Sequence, residues 1–400
     1  MNRGRRLGDL ADTHPWIDFD ASVANRLDHR SWMRLGEAYA LCNELSGTPL
    51  TPAVAEELHQ VALVRGAQAT VAIEGNTLTE EQVAGIRAGT FTAPRSRAYQ
   101  EREVRNILAA FDRIDDLVTA DGRPPLSVEL ICEMHRWVLD GVDPEAPYTP
   151  GVLRTHSVAV GPYLGPPART CERLLEQLAE WIDGEAFHPQ AAADSDAERV
   201  RFALTVLSAL LAHLYIAWIH PFDDGNGRTA RLLEYLILAR SGTVPLAAAN
   251  LMANHFNLTH DRYYARLAAA SQQRDVLGFL AYGIEGLVDG LNEHSASVRE
   301  QHLRLAWQSF IAETMSQFPT SPAAERQHAL VMALPPDEFV PKADVAGLTP
   351  QLAQMYARTG PRTLARDLNR LEGAGLIETD RRGVRPRVDR MRAFVSPTSS

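Results

Sequence analysis

The sequence predicts a mainly α-helical protein that carries a small β-hairpin and ends in a winged helix-turn-helix domain. Three observations lead there. Apolar residues recur at three- and four-residue spacing along most of the chain, the period of helices that bury one face. Strands do not alternate with crossover helices and no fixed-period repeat is present, which sets aside doubly wound and solenoid folds. Beyond Phe318 the pattern changes to three short helices followed by two short strands.

In chain order, the spacing predicts helices over 31–45, 52–64, 103–117, 128–139, 171–182, 228–239, 262–270 and 276–291. The segment 151–160, GVLRTHSVAV, reads as a hairpin between Pro150 and the Gly161-Pro162 pair, residues that punctuate strands. The most apolar run, FALTVLSALLAHLYIAWI at 202–219, is about long enough to cross a bilayer. It contains His213 and runs straight into HPFDDGNGRTAR. A helix apolar on all sides is also the centre of a large helical domain, and that is the reading adopted. QFPTSPAAE at 317–325 marks a linker or the cap of a new helix. Helices are then expected at 323–334, 342–346 and 361–374, the last with Leu364, Leu368 and Leu371 on one face. A strand opens at Gly375-Leu376-Ile377, and Arg381, Arg382 and Gly383 turn into a second one. Arg358, Arg362, Arg366, Arg370, Arg381, Arg382, Arg385 and Arg387 make this tail locally basic, and the terminal SPTSS is expected to fray.

Composition bounds the function. With 400 residues, 45% of them hydrophobic, the chain can bury a large core, which excludes wholesale disorder. Forty basic against fifty acidic side chains give a formal charge of −10, which argues against a protein built mainly to coat nucleic acid or an anionic membrane. Cys42, Cys132 and Cys171 are scattered and form no CxxC pair, so a disulfide framework and a zinc ribbon are ruled out and a reducing, cytoplasmic setting is expected. The N-terminal stretch lacks the apolar core of an export signal.

The stretch that carries chemistry is His220-Pro221-Phe222-Asp223-Asp224-Gly225-Asn226-Gly227-Arg228-Thr229-Ala230-Arg231. Gly225 and Gly227 permit backbone conformations that turn successive N–H groups inward as an anion nest. The helix that follows adds its positive end, which suits a phosphate. Arg228 and Arg231 share a helix face, so two guanidinium forks could grip one polyphosphate. Asp224 is placed to hold Mg²⁺ against phosphate oxygens, and His220 could serve as a general base. Each feature alone has a plainer reading: GNG as a turn, His220 as a helix cap, the arginines as solvated charges. No strand precedes the glycines, so a dinucleotide fingerprint is set aside. The coincidence of all four features within twelve residues favours a site.

This stretch resembles the signature HxFx(D/E)GNGRxxR of the Fic (filamentation induced by cAMP) family, with every specified position matched. The resemblance implies a Fic-type helical core with a hairpin flap, and transfer of AMP from ATP to a Ser, Thr or Tyr hydroxyl of a target protein. It implies His220 as the base that deprotonates the hydroxyl, Phe222 as the loop's anchor and Asp224 as the Mg²⁺ ligand. Gly225, Asn226, Gly227 and Arg228 would then hold the α- and β-phosphates, and Arg231 the γ-phosphate. Upstream, Thr70-Val71-Ala72-Ile73-Glu74-Gly75-Asn76 is similar to the family's inhibitory motif (S/T)xxxE(G/N), with Thr70 for the commoner Ser. By resemblance, Glu74 on an inhibitory helix pairs with Arg231 and bars the γ-phosphate. The likeness continues at 103–106 and at 148–161, the latter similar to the flap that would pair with an extended target segment by strand addition. Asn257, Tyr263 and Tyr264 are the candidate adenine contacts, although aromatic residues at helical spacing also read as core.

The resemblance divides the chain into an N-terminal helical region with the inhibitory helix (1–110), a catalytic core (111–295), a connecting helix or linker (296–320) and the winged helix (321–400). The resulting expectation is an autoinhibited protein adenylyltransferase dependent on ATP and Mg²⁺, with homodimer contacts as an open possibility. Alternatives are a DNA-binding regulator with a nucleotide-sensing core, an enzyme that also removes AMP, and transfer of another group. The Arg-rich third helix could read a major groove, or the wing could serve protein contact.

Overall fold

The computed structural model describes residues 14–121, 123–143, 148–188, 195–360 and 362–391. Pro361, the SPTSS tail and residues 1–13 lie outside them. Two compact units are present, residues 1–295 and 296–400.

The first unit is helical: α1 (His29–Gly47), α2 (Pro52–Ala72), α3 (Glu80–Arg87), α4 (Ala98–Asp121), α5 (Val128–Leu139), α6 (Cys171–Asp183), α7 (Ser195–Ile219), α8 (Asn226–Ala239), α9 (Leu251–Leu258), α10 (His260–Gln273) and the start of α11 (Val276–Ser316). Side-chain caps fix several of their starts. Asp28, Thr51 and Ser127 accept the backbone N–H three residues on, at the heads of α1, α2 and α5, each satisfying a donor the helix leaves unpaired. The helix α3, absent from the spacing analysis, is announced by a capping box between Thr79 and Gln82. At the centre, α7 packs lengthwise on α8. The span Asp196–Ile219 is long and apolar enough to cross a membrane, but 94% of its most apolar window is buried inside the unit. Desolvation by neighbouring helices therefore accounts for its composition. On α8, every residue from Arg228 to Ala239 is buried, so the helix that opens the signature is itself core.

The hairpin differs from expectation. Only Ala159–Val160 (β1) pairs with Tyr163–Leu164 (β2), antiparallel, with the turn at Gly161-Pro162. Residues 151–158 form no strand because the chain there is wound around the inward-pointing Arg154. Its guanidinium donates to the His156 carbonyl at 2.7 Å and to that of Pro166 at 2.6 Å.

In the second unit, the end of α11 contributes Trp307 and Ile311 to a separate core. Then follow α12 (Pro322–Ala333), α13 (Pro350–Ala357), α14 (Thr363–Gly373), β3 (Ile377–Thr379) and β4 (Val384–Pro386). The strands are antiparallel with Glu378 opposite Arg385, and Val340 adds an isolated bridge to Val384. The helix expected at 342–346 is not there. A single 3₁₀ turn occupies Val345–Gly347, and the helix is α13, capped by Thr349 with Pro350 at its first position. That Thr-Pro pair was the local signal. Leu364, Leu368 and Leu371 face the core as their spacing requires.

Among them sits a buried carboxylate. Asp367 accepts from Arg326 Nε (2.7 Å), Gln327 Nε2 (2.7 Å) and the Tyr356 hydroxyl (3.0 Å), so one side chain ties α12, α13 and α14 together. Asp367→Ala leaves those donors unpaired in a low-dielectric site, at a cost of about 3–5 kcal/mol. The expected outcome is loss of hydrogen-exchange protection over 322–373 with amides of the first unit unaffected. Uniform protection in the variant would show that the carboxylate does not hold these helices.

Candidate functional site

The site is built where α7 hands over to α8. The helix α7 stops because Pro221 cannot continue it, and His220, the residue before that proline, takes a left-handed backbone with φ of 46°. For a non-glycine residue this costs roughly 1–2 kcal/mol, so something must hold it. Arg154 does. Its Nε donates to the His220 carbonyl (2.7 Å), Nη2 to that of Ile219 (3.2 Å), and its backbone N–H to Pro221 (3.0 Å). Arg154 is 3% exposed, and its guanidinium thus works as a donor frame that engages four carbonyls. It binds the flap's base and the loop's backbone at once.

Two more contacts lock the loop. Asn226 closes it on itself, its Nδ2 donating to the Phe222 carbonyl (2.8 Å) and its Oδ1 accepting from the Phe222 N–H (3.0 Å). Phe222 is fully buried and stacks on the His135 ring with centroids 3.7 Å apart. His135 Nδ1 accepts from the Gly151 N–H (2.8 Å), which leaves Nε2 as the donor to the Asp224 carbonyl (2.9 Å). The two partners assign the tautomer. Burial pushes this imidazole down to about 4, so it is neutral at physiological pH.

Gly225 then takes a left-handed backbone (φ 74°) and opens α8, whose N-terminus faces a cavity of about 390 Å³. The wall includes His220, Gly227 and Arg231, the flap residues Val160 and Tyr163, and Tyr263, Tyr264 and Ser271 from α10. Burial lowers the His220 pKa below its ordinary 6.5, opposed by a hydrogen bond to the Ala217 carbonyl and by the nearby carboxylates of Asp224 and Glu74. The neutral ring is therefore available as a proton acceptor.

Arg231 donates through one nitrogen, Nη2, to Glu74 (2.6 Å) and to the Thr70 carbonyl (2.9 Å). Its Nε and Nη1 are buried and have no hydrogen-bond partner among the described residues. Such donors are costly to leave unmade, and here they belong to a cationic group on the wall of a cavity. Glu74 lies in the turn just past α2, not within the helix. Its carboxylate rests against Gly227, where a Cβ would collide with it. An anion thus already occupies the head of α8, the place such a helix end favours.

Arg228 turns elsewhere. It donates to Glu103 (2.7 Å) and to Asp224 (2.9 Å), and it does not line the cavity. Glu103 also accepts from Asn76 Nδ2 (2.9 Å), and burial raises its pKa. One carboxylate therefore joins the Glu74 turn to Arg228 and, through it, to Asp224. Asp224 is half exposed. No group of three or more His, Cys, Asp or Glu side chains forms a metal cage among the described residues. An ion at Asp224 would take its other ligands from phosphates and water, which suits Mg²⁺.

The structure brings His220, Gly227, Arg231, Glu74 and Tyr263 to one cavity, with Asn226 on its wall and Asp224 and Gly225 at the loop. It does not bring Asn257 there. Tyr263 points its hydroxyl at His213 Nε2 (2.9 Å), whose Nδ1 meets Glu234 (2.7 Å). Arg154, His135 and Glu103 went unseen as site residues; the contacts of the first two are mostly to backbone.

Comparison with known proteins gives the same family by independent routes. The profile of the Fic/DOC family matches residues 125–238. The chain is 35% identical over 217 residues to the protein adenylyltransferase fic-1 of Caenorhabditis briggsae, covering 51% of this chain and 39% of that protein. It is 30% identical over 223 residues to the protein adenylyltransferase Fic of Nematostella vectensis, covering 54% and 46%. The chain thus spans less than half the length of these curated relatives. Among solved structures, Fic-1 of Caenorhabditis elegans, residues 134–508, matches with TM-score 0.54 and 26% identity over 68% of this chain and 74% of that one. A Fic family protein of Desulfovibrio desulfuricans G20 shares the fold with TM-score 0.54 and 24% identity over 92% and 93%. Residues 125–238 are thus matched as a Fic domain of the Fic/DOC family.

Proposed function

We propose that the chain is a protein adenylyltransferase that transfers AMP from ATP to a hydroxyl side chain of a target protein and is held in check by Glu74. The observation that carries this reading is Arg231: a buried guanidinium with two unpartnered donors beside a cavity, whose one engaged nitrogen is held by a carboxylate. A polyphosphate fits that seat, and Glu74 is an anion that can be displaced. The curated relatives are named protein adenylyltransferases, which supports the same chemistry.

In this reaction His220 accepts the proton of the target hydroxyl through its neutral imidazole. The oxygen forms a bond to the α-phosphorus, the bond from that phosphorus to the bridging oxygen breaks, and pyrophosphate leaves. A base of this kind contributes typically ~10²–10⁴-fold. The remainder comes from position and charge: the N–H groups at the head of α8 and the Arg231 fork neutralise oxygens of the leaving group. Asp224 is the residue that would hold Mg²⁺, which when bound supplies further neutralisation of the phosphates. The flap presents exposed Val160 and Leu164 beside the cavity, a short apolar edge suited to an extended target segment. The three cysteines are free, in keeping with a reducing cytoplasmic setting.

Glu74 and the γ-phosphate compete for Arg231. Glu103 adds to the restraint, because it holds Asn76 beside the Glu74 turn and Arg228 against Asp224. Incubation with ATP and Mg²⁺, read by mass spectrometry for AMP added to the protein itself, tests catalyst and brake together. Glu74→Gly should raise self-labelling, by up to about a hundredfold if the closed state dominates 99 to 1. His220→Ala in the Glu74→Gly background should abolish labelling while nucleotide still binds. Label from the γ- but not the α-phosphate would overturn AMP transfer, and an unchanged Glu74→Gly would remove the brake.

The pH profile follows from the burial of His220. Its folded-state pKa lies below 6.5, so the neutral base persists as pH falls past that value and is lost only lower. The acid limb of labelling by Glu74→Gly should therefore have its midpoint below pH 6.5. A midpoint above it would mean that another group is being titrated.

A further inference from the structure

The arginines of the second unit remain outside this chemistry. Residues 321–400 carry twelve basic and nine acidic side chains, whereas the rest of the chain carries twenty-eight and forty-one. Four of these nine acids are spent on arginines of the same unit. Asp367 takes Arg326, Asp380 takes Arg382, Glu378 takes Arg385, and Asp389 takes Arg387. Arg358, Arg362, Arg366 and Arg381 are paired with no carboxylate among the described residues, and the first three are exposed. Arg381, exposed as well, sits in the turn between β3 and β4.

The arginines of α14 fall on one helix face. On α14 the core takes Leu364, Asp367, Leu368 and Leu371, which turns Arg362, Arg366, Asn369 and Arg370 outward at offsets of zero, four, seven and eight residues, within one face. Asp367 fixes that orientation through its buried bonds to α12 and α13. Arg370 is steadied over the Phe318 ring at 4.5 Å. The stripe from Arg362 to Arg370 is about 12 Å long at the rise of an α-helix, and a helix about 10–12 Å across fits a groove about 12 Å wide.

We propose that the outward face of α14 is a binding surface for duplex DNA entered through the major groove. Arg362, Arg366 and Asn369 are placed to meet base edges, where arginine suits guanine and asparagine suits adenine. Arg358, at the end of α13, and Arg381, in the β3–β4 turn, are exposed cations available to phosphates. The face has no apolar anchor, and the exposed large apolar side chain recorded in this unit is Met332, on α12. A protein partner would need a desolvated apolar or aromatic centre, and an A-form RNA helix has a major groove that side chains cannot read. The surface lies wholly within residues 358–381 and is independent of the transfer chemistry proposed above.

The test uses the full-length chain without nucleotide, a labelled 20-base-pair duplex of random sequence, and anisotropy titrations between 50 and 200 mM salt. On a duplex of random sequence Arg362 and Arg366 lie against phosphates too, so that with four or five phosphates neutralised binding should weaken roughly 10²–10³-fold across that range. Arg362→Gln/Arg366→Gln should weaken binding at 50 mM at least tenfold and lower the salt slope by about two, with circular dichroism and melting unchanged. Arg362→Lys/Arg366→Lys keeps the charge and should retain the salt slope, while losing the sequence preference that the native chain shows in selection from a random duplex pool. No binding at 50 mM salt, equal binding of an RNA duplex, or a Gln variant that binds as the native chain does would each overturn the assignment.

Discussion

A guanidinium sealed inside a protein must face an anion, and Arg231 makes that requirement the centre of this molecule. It is 3% exposed on a helix that is core along its length. Its charge cannot be withdrawn, since arginine stays protonated in proteins. Burial at the head of α8 adds the dipole of the helix to the demand. The fold meets it from within by carrying a carboxylate 157 residues away in sequence to the same spot. In the function proposed above, what distinguishes a resting from a working protein is then the identity of the anion.

That scaffold is rigid for a different reason. The loop that bears His220 and Asp224 is fixed mainly by neutral or singly charged donors acting on backbone oxygens: Arg154 on four carbonyls, His135 on one, Asn226 on its own turn. Contacts of this kind are insensitive to which side chains the carbonyls belong to, and they tolerate the strained backbone at His220 that a free loop would relax. The strain sits at the position whose side chain must project into the cavity, as strained residues at functional sites commonly do.

The same physics decides what the sequence could disclose. The stretch 220–231 was legible because its parts are contiguous: glycines, acid and arginines at fixed offsets state their geometry locally. The partnership of Glu74 with Arg231 has no local signature and came from family likeness. Arg154, His135 and Glu103 stayed hidden as site residues. A carbonyl acceptor is supplied by every residue, so Arg154 and His135, which bind carbonyls, leave no complementary partner to find, while Glu103 meets side chains 27 and 125 residues away. Among the elements, long helices declared themselves through repeated spacing. The eight-residue helices α3 and α13 have barely two turns, too few for a period, and only their caps at Thr79 and Thr349 gave notice. The hairpin was misplaced for a related reason. The β-like composition of 151–158 is real, but the buried Arg154 wraps that segment instead of letting it pair.

Gly227 carries a consequence of its own. The floor of the anion seat is bare backbone, and the carboxylate resting there approaches closer than any methyl group would permit. In the proposed function the inhibitory carboxylate and the substrate phosphate would lean on that one bare patch, so anything grown from the floor would evict both tenants together. Deregulation without loss of catalysis therefore has to arise from the ceiling, the turn that delivers Glu74, which leaves the two halves of this lock unequally free to drift.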